Sequence, residues 1–171
     1  MVSTAVVEFL TGARERQLAE LCELLRMPSI STDPAHREDV AAAAGWLADH
    51  MRAIGLEHVQ VVATDRHPIV YGDWLHAGPA RPTVLIYGHF DVQPVDPLDL
   101  WDSPPFEPVV KDEIVYARGA SDDKGQVYTH IKALEAYVKQ GVELPVNVKF
   151  IIEGEEESGG ESIYRYTEQN P

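Results

Sequence analysis

The sequence predicts a layered α/β domain: helix-period segments alternate with short apolar runs of strand type, and its two most apolar runs each lead directly into a polar cluster. Hydrophobic residues make up 44% of the 171 positions and charged residues 25%, the balance of one folded globular domain rather than of a disordered chain. No repeat, low-complexity tract or interdomain linker interrupts it.

Taken in order, the first helical segment runs from about Thr4 to Arg26. It places Val7, Leu10, Leu18, Leu21, Cys22 and Leu25 at near-helical spacing, with Gly12 marking a kink or a break. Pro28 closes that segment, and residues 27–34 read as a loop. An alanine-rich helix follows from about Arg37 to Ile54, with Val40, Trp46, Leu47 and Met51 inward and Gly55 as its stop. The period then changes. Strands are predicted over 58–63 and 69–75, with a turn at 64–68. Thr83 to Tyr87 is a short apolar run of the kind buried on both faces of a central strand. The proline-rich stretch from Pro94 to Pro108 reads as irregular loop, and residues 109–116 as a hairpin turning at 111–113. Gln126 to Gln140 is a predicted helix with Val127, Ile131, Leu134 and Val138 on one face. Asn147 to Ile152 is a second buried strand, and a last helix begins near Glu161.

Charge narrows the partners. Fourteen Lys+Arg against 28 Asp+Glu give a net charge of −14, which repels nucleic acid and anionic membrane alike. Cys22 is the only cysteine, so no intrachain disulfide can form, and within its helix-like run the thiol is expected to be buried and inert. No apolar run approaches the ~20 residues of a membrane span. The first residues lack the charged and apolar regions of a signal peptide, so the cytoplasm is the expected location.

Three polar clusters carry candidate chemistry. In Gly88-His89-Phe90-Asp91, residues two apart in an extended segment point the same way, so Asp91 can accept from the imidazole nitrogen of His89 that does not face a ligand. His-x-Asp after a strand is common, and alone it is not specific. In Arg118-Gly-Ala-Ser-Asp122-Asp123-Lys124-Gly125, adjacent carboxylates repel unless a cation or a helix cap absorbs the charge. Capping suits this pair as well as metal bridging by Asp122 does, with Lys124 and the glycines shaping the loop. The run Glu155-Glu156-Glu157 directly follows a predicted buried strand and is closed by Gly159-Gly160. Acidic runs are usually solvated surface. At the mouth of a sheet, Glu157 can instead ligate a metal while Glu156 faces a substrate water as general base. One imidazole with several carboxylates, at the edge where open α/β sheets bind ligands, suits zinc, with manganese or cobalt as substitutes.

Residues 88–108, 116–125 and 153–159 closely resemble the corresponding motifs of the M20 metallopeptidases, and the Gln93-Pro-Val-Asp-Pro97 and Trp101-x-x-Pro-Pro-Phe106 portions are most similar to the dipeptidase branch, which includes carnosine and nonspecific dipeptidases. The resemblance implies a helix/sheet/helix zinc-peptidase-like catalytic domain that hydrolyses dipeptides or related N-acyl amino acids with two zinc ions per complete site. It implies that His89, Asp122 and Glu157 are metal ligands, with Asp122 bridging, and that Asp91 and Glu156 are catalytic, Asp91 orienting His89 and Glu156 acting as base. It also implies further parts: another aspartate ligand, a lid or dimerisation domain and a last histidine ligand. His36, His50, His58, His67, His76 and His130 do not sit in contexts matching that ligand. Residues 1–171 are therefore expected to be the N-terminal portion of the catalytic domain, inactive alone and prone to self-associate through exposed core. The alternative is a non-catalytic metal-binding or assembly module that needs a partner chain.

Overall fold

The computed structural model describes residues 3–170. Among the described residues, five α-helices and six strands follow one another as α1 (Thr4–Gly12), α2 (Arg14–Leu25), α3 (Arg37–Ile54), β1 (Glu57–Val62), β2 (Ile69–Trp74), β3 (Thr83–His89), β4 (Val109–Lys111), β5 (Ile114–Tyr116), α4 (Lys124–Gln140), β6 (Asn147–Glu153) and α5 (Glu161–Gln169). The helix-period and strand-period segments of the sequence thus become the elements expected of them. Gly55 stops α3 in the left-handed conformation at φ 105°, which a side chain would resist.

The main sheet has the order β1-β2-β6-β3. β2 pairs antiparallel with β1 and β6, whereas β3 pairs parallel with β6, in the register Tyr87↔Ile151, Gly88↔Ile152 and His89↔Glu153. Val70, Val148, Phe150 and Ile152 form the core with Leu47, Ala48 and Met51 of α3 and Val127, Ile131 and Leu134 of α4. Ile163 and Tyr164 of α5 line a cavity with Tyr87 of β3 and Glu153 of β6. β4 and β5 form a separate hairpin that turns through Asp112 and Glu113 at positive φ.

Two expectations fail. Val6 is buried and Val7 is exposed, the reverse of the predicted phase, because the break at Ala13 lets the short α1 set its own face. β3 is not central among the described strands. It pairs only with β6, and Leu85 and Tyr87 are 55% and 53% exposed. An apolar run reports faces suited to burial but not which strands flank it.

A polar knot ties α2, α3 and α4 together. Glu20 accepts from Lys132 Nζ at 2.6 Å, Tyr128 Oη at 2.7 Å and Arg16 Nη1 at 2.7 Å. Lys132 also meets Glu135 at 2.9 Å and contacts the ring of His50, which stacks on Trp46. Burial alone would raise the Glu20 carboxyl, but the hydrogen bonds from Lys132, Tyr128 and Arg16 and the Lys132 charge hold it at about 2, below its ordinary 4.5. A depressed carboxyl stabilises the fold above its unfolded value and loses that contribution as pH falls through its folded one. Glu20→Gln is therefore expected to lower the unfolding midpoint in urea at pH 6, and the gap from the unsubstituted chain should close between pH 4.5 and about 2.

Candidate metal centre

Because β3 and β6 run parallel in adjacent register, the loops that follow His89 and Glu153 leave from the same edge of the sheet. Lys124 brings in the third loop. Its fully buried ammonium donates to Leu24 O at 3.1 Å and Met27 O at 2.6 Å, anchoring the start of α4 to the end of α2. Desolvation lowers that ammonium to about 7, partly offset by the charges of Asp91 and Asp39.

His89 is buried and held on three sides. Its backbone N–H donates to Asp123 Oδ2 at 3.2 Å, and its Nδ1 faces Asp91, at 3.1 Å from the carbonyl oxygen and 3.4 Å from Oδ1. Its Nε2 lies 3.0 Å from Asp122 Oδ1. Burial disfavours the imidazolium, but the hydrogen bond and charge of Asp91, with the charge of Asp123, raise His89 to about 9. Asp91 is fully buried. It accepts from Ser31 Oγ at 2.5 Å and from the backbone N–H groups of Glu156 at 3.2 Å and Glu157 at 3.0 Å. Its carboxylate therefore lies beside the imidazole and holds the acidic loop by its backbone.

The aspartate pair does not cap α4. Asp123 occupies the N-cap position without a side-chain capping bond and serves His89 instead; burial raises its carboxyl. The peptide bond between Asp122 and Asp123 is cis. The Asp122 side chain is 74% exposed, although its Oδ1 meets His89 Nε2. Glu156, 46% exposed, brings Oε2 to 4.0 Å from His89 Nε2. Glu157 is turned aside, accepting from Gln93 Nε2 at 2.7 Å. Among the described residues, no three His, Cys, Asp or Glu side chains converge as a ready-made ligand set.

His89 and Asp122 nevertheless fit a shared cation. Donors bound at about 2.0–2.1 Å to one tetrahedral ion sit roughly 3.3 Å apart, and the observed separation is 3.0 Å. With Nδ1 engaged by Asp91, Nε2 is the nitrogen left to bind metal once its proton is lost.

Sequence reasoning missed Ser31, Gln93 and His67. His67 Nε2 donates to Ser31 O at 2.9 Å, so the turn before β2 supports the loop that supports Asp91. Gln93 falls within the dipeptidase-like stretch but without an assigned role, no motif marks Ser31 or His67, and the partners of all three lie tens of positions away. The first glutamate of the acidic run, Glu155, is fully buried rather than at the mouth.

Fold and side chains together describe a layered α/β domain, with a histidine and carboxylates at the carboxyl edge of its sheet. The comparisons make the class specific: the model of peptidase family M20/M25/M40 matches residues 85–170, and the chain belongs to that family. It is 36% identical to the Cys-Gly metallodipeptidase of Candida albicans over 83% of this chain and 32% of that protein. It is 41% identical to the Beta-Ala-His dipeptidase of Homo sapiens over 82% of this chain and 30% of that protein. The solved structure of a dipeptidase from Saccharomyces cerevisiae superposes with a TM-score of 0.89 at 27% identity, covering 97% of this chain and 37% of that one. The chain thus spans about a third of the length of the curated relatives it matches.

Asp91→Asn retains the shape but turns one acceptor oxygen into a donor facing N–H or O–H groups. We expect a loss of about 2–3 kcal/mol in urea unfolding, and about 1 kcal/mol for Ser31→Ala, which removes one bond only.

Proposed function

We propose that residues 1–171 are the N-terminal portion of the catalytic domain of a metal-dependent dipeptidase, whose site takes two zinc ions when complete and accepts manganese or cobalt in their place. The observation that carries this reading is the arrangement at His89, its Nδ1 engaged by buried Asp91 and its Nε2 facing exposed Asp122 at 3.0 Å. The names of the relatives support it, two being dipeptidases. His89, through Nε2, and Asp122 are the residues that would hold the metal. Glu157, which accepts from Gln93 here, would be a further metal ligand, and Asp91 would fix the His89 ring. When bound, zinc supplies Lewis acidity toward the scissile carbonyl and the attacking water. Glu156 takes the proton from that water on its carboxylate and delivers it to the leaving amine as the C–N bond breaks. The substrate class is a dipeptide or a related N-acyl amino acid. Among the described residues no helix is long and apolar enough to cross a membrane, and we place the protein in the cytoplasm.

By themselves, residues 1–171 are expected to hydrolyse little, since only His89 and Asp122 among the proposed ligands are in contact. The open edge of β3, with Val84, Leu85 and Tyr87 exposed, favours association between copies. The same edge favours a second reading, a non-catalytic metal-binding module completed by a partner chain.

Calorimetric titration with Zn2+ tests the site directly. His89→Ala is expected to weaken binding at least about tenfold; no difference between the two chains would remove His89 as a ligand. Dipeptide hydrolysis, assayed with the chain complemented by the remaining two thirds of a relative, separates the two readings. Glu156→Gln should then retain metal and lose about 10²–10⁴-fold in turnover, whereas metal binding with no turnover in any combination favours the non-catalytic module.

A further inference from the structure

The run Glu155-Glu156-Glu157 divides on folding. Glu156 stays beside His89 and Glu157 accepts from Gln93, both reaching solvent, whereas Glu155 turns the other way and is fully buried. A carboxylate taken out of water is costly unless its oxygens are satisfied, so an inward glutamate in a solvent-facing turn needs a reason. Its two oxygens hold different elements. Oε1 accepts from the backbone N–H of Ser162 at 2.5 Å, in the first turn of α5, where the helix dipole favours negative charge. Oε2 accepts a longer bond from the backbone N–H of His67 at 3.4 Å and lies 3.8 Å from Arg66 Nε. Arg66 continues past it to donate from Nη2 to Ser158 O at 3.1 Å, and the backbone carbonyl of Glu155 accepts from Gly160 N at 2.8 Å.

The turn bearing Glu156 and Glu157 is therefore held from two directions. In front, Asp91 accepts their N–H groups. Behind, Glu155 fastens the turn to α5 and to the segment leading into β2. The two supports are joined, because His67 donates to Ser31 O and Ser31 donates to Asp91. We propose that Glu155 is a positioning residue, which keeps the Glu156–Glu157 turn in register with His89 and Asp122 by anchoring it from behind. The inference rests on the roles proposed above for Glu156 and Glu157. It assigns the run one inward anchor and two outward working groups, where the sequence shows three equivalent acids.

Amide exchange followed by NMR on the full chain without metal, combined with a Co2+ titration read by visible absorption, tests the proposal. In Glu155→Leu, exchange at the Glu156 and Glu157 amides should quicken about tenfold or more, while the Phe150 and Ile151 amides within β6 keep their rates. Co2+ affinity should fall about tenfold with an altered absorption band. Glu155→Gln retains an acceptor for Ser162 N–H and should restore most of both. Unchanged exchange at Glu156 and Glu157 in the leucine variant overturns the proposal. So does equal acceleration throughout β6, which reports a general loss of stability. Should the leucine variant fail to fold, Glu155→Gln and Arg66→Ala carry the test: a selective, smaller acceleration at Glu156 and Glu157 supports the anchor, and no change in either variant overturns it. Failure of the metal reading is separately visible as an unsubstituted chain that binds no Co2+, and the exchange rates then decide the role of Glu155.

Discussion

Ser31, His89 and the backbone of Glu156 and Glu157 all converge on the carboxylate of Asp91, a side chain with no contact with solvent. Hydrogen bonds to a charged acceptor in a desolvated site are among the stronger ones, and a buried charge left without them would destabilise the fold. Satisfying Asp91 therefore brings three chain segments to one place. The loop after α2 supplies the Ser31 hydroxyl, β3 supplies the imidazole, and the loop after β6 supplies two N–H groups. The site is assembled around a carboxylate that does not itself face solvent.

The sheet makes that convergence available. Parallel pairing of β3 with β6 places His89 beside Glu153, so the two loops emerge together. Lys124 adds the remaining loop by tying the start of α4 to the carbonyls at the end of α2. Division of labour follows from exposure. Buried groups such as Asp91, Lys124 and Glu155 hold backbone, while the exposed carboxylates of Asp122 and Glu156 remain available to a cation or a substrate.

Much of this was legible in the sequence. The helices over 37–54 and 126–140 and the strand at 147–152 appear within a residue or two of their predicted bounds, because apolar periodicity and a stop such as Gly55 act locally. The pairing of His89 with Asp91 was legible for the same reason, being a matter of two residues in an extended segment. The phase of α1 and the position of β3 were not. A helix break resets the face of a short helix, and strand order depends on partners remote in the chain.

The chain by itself determined which segments are helix and strand, where the polar clusters fall relative to the strand ends, and through its motifs the family to which it belongs. Tertiary structure alone decided that Ser31 supports Asp91, that Gln93 holds Glu157 aside, and that Glu155 turns inward while Glu156 stays beside His89. These bonds join residues about 60 positions apart, or differ among three identical side chains in a row. Local periodicity carries no information about either; the packing of β6 against β2 and β3 does.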